Sequence, residues 1–175
     1  MKASAEALAA IETAIQIEEN GLAFYSEMAV QVDNPQAKKM FQTLARDEVA
    51  HKKLFERVRQ ELQESGRWLS AAEVTALSPR TMRPAVFPVG EAVAGVEVPQ
   101  RELAALQRGI QAEEESIAFY SQQKDLIDDP AAQEMFDYLI EQEKGHRTIL
   151  QGEYDYLTNT GFWFDIREFD LEAMG

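Results

Sequence analysis

The two histidines of the chain each follow a glutamate by three residues, in Glu48-x-x-His51 and Glu143-x-x-His146. On an α-helix this spacing places a carboxylate and an imidazole on one face, one turn apart. Imidazole nitrogens and carboxylate oxygens together bind divalent metals such as iron, manganese and zinc. The two motifs therefore predict metal chemistry, and their duplication predicts two ions.

The motifs belong to an internal repeat in which equivalent residues are 95 positions apart. Residues 14–54 align with residues 109–149 without a gap, and 16 of the 41 positions are identical. The best run, Ala-Phe-Tyr-Ser, occurs at 23–26 and again at 118–121. One duplicated unit thus presents its glutamates and its histidine twice, as a two-metal site requires.

Four segments carry apolar residues every three or four positions, which predicts four helices that each bury one face. Glutamates and the Glu/His pairs interrupt these apolar stripes. The polar residues that the stripes turn inward are Glu18, Glu48, His51, Glu113, Glu143 and His146. Glu19 and Glu114 lie about 100° around the helix from the stripes, so we expect them at the solvent-exposed rim.

Four glutamates facing one another inside a protein would unfold a domain of ordinary stability unless their charge is neutralised. Lysine and arginine are absent from the inward stripes at this level. Two divalent cations would balance the four negative charges, and two neutral imidazoles would complete the ligand set. The alternative interpretation is that the glutamates are exposed and that the histidines are ordinary core residues.

The pattern resembles the diiron site of the rubrerythrin branch of the ferritin-like superfamily. The resemblance rests on a glutamate, a Glu-x-x-His pair on the next helix, a tyrosine seven residues after the first glutamate, and one repetition of all three. It covers residues 4–64 and 99–157. It implies an all-α fold, a ferritin-like antiparallel four-helix bundle of two repeated helical hairpins with a long crossover between the second and third helices.

By position, the resemblance also implies a cofactor of two iron ions and the residues that hold it. The implied metal ligands are Glu18, Glu48, His51, Glu113, Glu143 and His146, with Glu48 and Glu143 bridging the ions. Tyr25 and Tyr120 would donate hydrogen bonds to ligand carboxylates, although a tyrosine at such a level also serves as core packing. Zinc or manganese could occupy the same ligands.

Asp47 and Gln142 each precede the glutamate of a Glu-x-x-His pair. If each reaches the histidine of the other repeat, Asp47 offers His146 a charged acceptor, whereas Gln142 offers His51 a neutral one. Charge-assisted hydrogen bonds are the stronger kind. This predicts that His51 is the looser ligand and that its iron opens to substrate. The alternative is that Asp47 and Gln142 face solvent beside the site.

Proline and glycine divide the chain into one domain and a tail. Asp33-Asn34-Pro35 and Asp128-Asp129-Pro130 predict tight turns within the two hairpins. Residues 65–99 hold several prolines and glycines and form the predicted crossover, in which Ser70-Ala-Ala-Glu73 predicts a short capped helix. The bundle is expected over residues 1–158. The aromatic tail, residues 159–175, is expected to pack on the bundle or on a second subunit of a homodimer or higher homo-oligomer.

Charge and composition limit the partners. The net charge of −14 argues against nucleic acid and anionic membrane surfaces. An apolar run of membrane-spanning length and a signal-peptide core are both absent, so we expect a cytoplasmic protein. Cysteine is absent as well, which excludes the rubredoxin-like Cys₄ iron site that full-length rubrerythrins carry. Electrons would then come from a separate donor such as rubredoxin.

Three functions fit the pattern. The first is a rubrerythrin-like peroxidase that reduces hydrogen peroxide. The second is a ferroxidase and iron-storage protein of the bacterioferritin type, which has the same motifs and uses O₂. The third is a non-enzymatic metal-binding bundle. Well-known rubrerythrins carry a further glutamate about one turn after the third-helix ligand, but here Ser116 and Ile117 occupy that place. This difference argues against ligand exchange during turnover. A simpler six-ligand site is compatible with the sequence.

Overall fold

The computed structural model describes residues 5–78 and 100–158, and these residues form five α-helices without a strand. The helices are α1 (Ala5–Gln31), α2 (Pro35–Glu64), α3 (Ala71–Leu77), α4 (Gln100–Leu126) and α5 (Pro130–Thr158). Four of them are 27 to 30 residues long. Helices of this length can carry a polar site at mid-height and still bury apolar residues above and below it.

The two hairpins turn in the same way because the repeat preserved the local chemistry. The Asn34 side chain accepts a hydrogen bond from the Ala37 amide at 3.1 Å. In the second hairpin, Asp129 Oδ1 accepts from the Ala131 amide at 2.9 Å. Each capping residue is followed by a proline at the first helical position, where a missing N–H costs nothing. The two predicted turns are confirmed.

Helix α2 ends at a glycine, and the chain then folds back over one end of the bundle. Gly66 has a φ of 72°, in the left-handed region that favours glycine after a helix. Ser70 and Glu73 form a capping box that starts α3, as the sequence predicted. Trp68 and Val74 are buried against the bundle. The first part of the crossover is therefore part of the core rather than a loose connection.

Four long helices enclose two apolar clusters. The first cluster contains Ala7, Ile11, Leu54, Phe55, Tyr120 and Phe136, and the second contains Tyr25, Ala29, Phe41, Leu44, Leu106 and Leu150. The start of α1 thus meets the end of α4, and the end of α1 meets the start of α4, so these two helices are antiparallel. Helix α1 packs mainly on α2, and α4 mainly on α5. The predicted ferritin-like bundle of two hairpins is confirmed.

Two sequence predictions extend beyond the described residues. The crossover predicted for residues 65–99 is described as far as Ser78, and its remainder lies outside the described ranges. The aromatic tail predicted for residues 159–175 lies outside them too. The described part of the crossover contacts α5, where the Tyr138 hydroxyl donates a hydrogen bond to the Ser78 carbonyl.

The aromatic packing of the first cluster predicts unequal roles for two equivalent phenylalanines. Phe136 is fully buried and lies near the rings of Phe55, Trp68 and Tyr120, at centroid distances of 6.4, 6.3 and 6.1 Å. Its repeat equivalent Phe41 is 6.1 Å from Tyr25. We expect Phe136→Ala to lower the unfolding free energy by about 3–5 kcal/mol. Phe41→Ala should lower it by about 1 kcal/mol less, because Phe41 contacts fewer aromatic rings.

Urea unfolding of the metal-free protein measures both losses. Val30→Ala is the control, because Val30 is 79% exposed and its truncation should change stability by less than about 0.5 kcal/mol. Equal losses for Phe136→Ala and Phe41→Ala would contradict the packing described for the first cluster.

Candidate metal centre

The inward polar residues meet at mid-height, between the two apolar clusters. On α2, Glu48 and His51 lie between Leu44 of the second cluster and Leu54 of the first. Each of the four long helices contributes a glutamate. The exposed fractions are 1% for Glu18, 4% for Glu48, 2% for His51, 3% for Glu113, 1% for Glu143 and 0% for His146. The structure therefore brings together all six residues that the sequence turned inward.

The six residues form two overlapping groups that share one carboxylate. In each group the ligand atoms lie within 4.8 Å of one another. One group contains Glu48, Glu113, Glu143 and His146, and the other contains Glu18, His51 and Glu143. Glu143 is the residue that belongs to both groups. Glu48, its repeat equivalent, belongs to one group.

Nδ1 of each histidine faces the carboxylates. His51 Nδ1 lies 3.2 Å from Glu143 Oε1 and 3.5 Å from Glu18 Oε2. His146 Nδ1 lies 2.8 Å from Glu143 Oε2 and 3.4 Å from Glu48 Oε1. The imidazole rings are 5.6 Å apart. Both rings thus point a nitrogen lone pair or N–H at the same small space.

Many of these buried polar atoms have no hydrogen-bond partner, although they lie close together. They are Glu18 Oε2, Glu48 Oε1, both carboxylate oxygens of Glu143, Nδ1 of His51 and both ring nitrogens of His146. A buried polar atom without a partner is costly and rare in a folded protein. So many of them at one point are explained if they bind cations. The residues therefore fit a two-metal cofactor.

Two tyrosines connect the hairpins through the site. The Tyr25 hydroxyl on α1 donates to Glu113 on α4, and the Tyr120 hydroxyl on α4 donates to Glu18 on α1. Burial raises the pKa of both tyrosines well above the usual value, and the facing carboxylates raise it further. The hydroxyls therefore keep the protons that they donate. Each tyrosine satisfies one oxygen of its glutamate and leaves the other for a metal.

Two of the carboxyl groups, those of Glu113 and Glu48, have a raised pKa. Burial raises the pKa of Glu113 to about 7, and the charge of Glu143 acts in the same direction. Burial also raises the pKa of Glu48 well above its usual value, and the charge of Glu18 adds to this effect. These directions are those of carboxylates forced together in a low-dielectric interior.

The pKa of each histidine and the pKa of Glu143 shift in opposite directions. Burial alone would lower the pKa of His51 and of His146, but the adjacent Glu143 carboxylate raises both well above the usual value. Burial alone would likewise raise the pKa of Glu143, but the two imidazoles lower it well below the usual range. In the metal-free protein, the imidazolium groups thus take the place of cations.

Asp47 and Gln142 are buried beside the histidines, with exposed fractions of 3% and 6%. Asp47 Oδ2 lies 3.6 Å from His146 Nε2, on the side of the ring opposite to the carboxylates. This is the partner that the sequence proposed for Asp47, at a separation longer than a hydrogen bond. Among the described contacts, none joins Gln142 to His51. The interpretation that both residues face solvent does not hold.

The rim of the site repeats a salt bridge in each hairpin. Lys52 Nζ lies 2.9 Å from Glu19 Oε1, and Arg147 lies 3.6 Å from Glu114 Oε1. Both glutamates are partly or fully exposed, as expected from their positions on the helices. The basic residues next to the histidines therefore neutralise the rim, and within the described residues no ion pair joins a lysine or arginine to the inner carboxylates.

A cavity of about 410 Å³ between α1 and α4 reaches one half of the site. Its lining includes Tyr25, Glu48, Glu113, Gly21 and Arg108. The cavity lies beside the group that contains His146, whereas the sequence predicted that the ion beside His51 opens to substrate, which stays a prediction. Sequence reasoning missed Gly21, although a glycine inside a helical pattern signals a close approach.

Comparison with known families agrees with this geometry. A family model described as Rubrerythrin matches residues 9–154, which is most of the chain. The chain belongs to the rubrerythrin family. Rubrerythrins bind iron, and the buried Glu/His cluster of this chain fits a metal site of the diiron kind. No curated protein and no solved structure matches the chain.

The family match covers both hairpins, and this rubrerythrin domain contains no cysteine. A rubredoxin-like Cys₄ site is therefore absent from these 175 residues. Within the two described ranges, no helix combines the length and the apolar character needed to cross a lipid bilayer.

The raised pKa values predict that the metal-free protein loses stability as pH rises. A group that binds its proton more tightly when folded stabilises the fold fully below its unfolded pKa and loses that contribution as pH passes its folded pKa. For Glu113 the interval runs from 4.5 to about 7, and Glu48 and both histidines act in the same direction. We expect the unfolding free energy to fall by about 1–3 kcal/mol between about pH 5 and about pH 7.5.

Urea unfolding of chelator-treated protein at several pH values tests this expectation. Glu113→Gln, which removes the titrating group and keeps its shape, should flatten the dependence. Metal-loaded protein should show the reverse trend, because protons compete with metal for the same ligands. A metal-free protein whose stability rises over this interval would contradict the buried arrangement of the carboxylates.

Proposed function

We propose that this rubrerythrin is a non-haem diiron oxidoreductase that reduces hydrogen peroxide with electrons from an external donor. The observation that carries the proposal is the convergence of buried carboxylate and imidazole atoms that lack hydrogen-bond partners. We assign the metal ligands as Glu18, Glu48, His51, Glu113, Glu143 and His146. Glu143 is the supported bridge, because it belongs to both groups, and Glu48 is proposed as the second.

Iron is the proposed native metal. Imidazole with several carboxylates suits iron in both its ferrous and ferric states, because the carboxylates can balance an added positive charge. Four glutamates neutralise two ferrous ions fully, which removes the electrostatic obstacle to burying them. Zinc and manganese are accepted by the same ligands, and zinc would compete during purification.

Two ferrous ions would supply the two electrons that convert one hydrogen peroxide and two protons into two waters. The chain's own residues prepare this reaction. Tyr25 and Tyr120 hold the Glu113 and Glu18 carboxylates through hydrogen bonds from the opposite hairpin. Asp47 lies behind His146 and limits rotation of its ring. The two apolar clusters exclude water along the bundle axis, so access is restricted to the sides.

The electrons must return to the site from outside the described fold. The sequence has no cysteine for a built-in Cys₄ iron centre, so we propose a separate donor such as rubredoxin. Reduction by a soluble donor would then alternate with oxidation by peroxide.

A ferroxidase of the bacterioferritin type is the second candidate, and one observation favours it. Ser116 stands one turn after Glu113, where well-known rubrerythrins have a further glutamate. The structure shows its hydroxyl donating to the Ala112 carbonyl at 3.1 Å, so it does not face the site as a ligand would. A six-ligand site of this kind would oxidise iron with O₂ and release it to storage.

The choice of oxidant separates these functions. We expect anaerobic diferrous protein to be oxidised at least about tenfold faster by hydrogen peroxide than by O₂, as followed by stopped-flow absorption. Glu113→Gln should weaken iron binding by about 100-fold, since it removes a charged ligand. Glu114→Gln is the matched control, because Glu114 lies at the exposed rim and pairs with Arg147.

Faster oxidation by O₂, with iron mineral accumulating in a large assembly, would establish the ferroxidase instead. Tight binding of two ions without oxidation by either reagent would instead support the third function, a non-enzymatic metal-binding bundle. Equal loss of iron in Glu113→Gln and Glu114→Gln would contradict the ligand assignment itself.

A further inference from the structure

The two halves of the centre differ in how they meet the surface, although the repeat makes them equivalent in sequence. The cavity between α1 and α4 is lined by Tyr25, Glu48 and Glu113. Their repeat equivalents, Tyr120, Glu143 and Glu18, do not line it, whereas Gly21 and its repeat equivalent Ser116 both do. The ligands on the two sides are the same residue types, so the difference must come from the residues around them.

The helical position that packs against Glu48 on α1 has a different residue type in the other repeat. It is Gly21 on α1 and Ser116 on α4. A Cβ placed on Gly21 would lie 3.1 Å from Glu48 Oε2 and 3.2 Å from its Cδ, closer than ordinary contact. Glycine within a helix weakens the helix relative to alanine. A glycine at this position is explained by the space that the Glu48 carboxylate needs beside α1.

We propose that Gly21 makes the diiron centre one-sided. Small ligands reach the ion held by the Glu48, Glu113, Glu143 and His146 group through the cavity between α1 and α4, and Gly21 provides the gap through which they pass. In this proposal the ion held by Glu18, His51 and Glu143 stays closed from this face, because Ser116, which lines the same cavity, has the side chain that Gly21 lacks. This inference rests on the metal assignment proposed above.

The arrangement of the bridging residues agrees with this asymmetry. Glu143 belongs to both ligand groups, whereas Glu48 belongs to one. Because Gly21 has no side chain, the Glu48 carboxylate has space on the side of the cavity and can shift when a ligand enters. A carboxylate that moves aside opens a coordination position, which a fixed bridge does not.

The mouth of the cavity indicates the class of ligand. Arg108 lines it, and its guanidinium carbon lies 5.6 Å from the centre of the Phe24 ring. Glu115 lines the same cavity, and the repeat equivalent of Arg108 is the neutral Thr13. In a chain with a net charge of −14, one cation at the entrance favours small neutral or anionic ligands. Peroxide is such a ligand, and azide is a suitable probe.

Substitution at Gly21 should close the entrance without harming the fold. Alanine and serine are both better helix formers than glycine, and the clashing group is the end of a flexible side chain. The added Cβ fills the gap and fixes Glu48 in its bridging position. Gly21→Ala tests the effect of volume alone, and Gly21→Ser copies the residue of the other repeat.

Azide titration of the cobalt(II)-loaded protein tests the proposal through the visible absorption of cobalt. We expect two bound cobalt ions and one azide per chain in the unchanged protein. Gly21→Ala and Gly21→Ser should keep both cobalt ions and raise the Kd for azide at least about tenfold. Ser116→Gly should open the second side, so that a second azide binds.

Each outcome decides a separate point. Gly21 variants that hold two cobalt ions and bind azide with a Kd within about twofold of the unchanged protein would overturn the proposal. Ser116→Gly with one azide per chain would overturn the assignment of the difference to this pair of residues. Failure of the unchanged protein to bind two cobalt ions would instead refute the metal centre on which the proposal rests.

Discussion

The structure depends on the burial of four carboxylates in one small volume. Each is almost fully removed from water, and like charges at such separations repel strongly where no water screens them. The metal-free protein moderates the repulsion by retaining protons, as the raised pKa of Glu113 and Glu48 shows. Cations remove the repulsion more completely. The apolar clusters on both sides of the site stabilise the fold and offset the cost of burying the four carboxylates.

The fold followed from the sequence because its signals are local and occur twice. Stripes of apolar residues, the Asn34-Pro35 and Asp129-Pro130 turns, and the capping box at Ser70 each specify a helix or its boundary within a few residues. The inward positions of the glutamates and histidines follow from the same periodicity. Duplication strengthened the prediction, since a coincidence in one hairpin would have to recur in the other.

The side on which we propose that ligands enter the site was not predictable from those signals. The proposal rests on the approach of α1 to Glu48 at Gly21, a contact between helices whose spacing depends on the whole bundle. The hydrogen bonds of Tyr25 and Tyr120 to the opposite hairpin are of the same kind, because they require the antiparallel arrangement of α1 and α4. Sequence equivalence thus predicts the ligand types at both positions, whereas packing between the repeats determines how the positions differ.

Anomalous diffraction from crystals of the iron-loaded protein, measured at the iron absorption edge, tests the central claim most directly. The account predicts two iron peaks per chain, about 3–4 Å apart, inside the four long helices. One should lie beside Nδ1 of His51 and the other beside Nδ1 of His146, with Glu143 between them. A single peak, or iron bound at the acidic surface while the four glutamates turn outward, would contradict it.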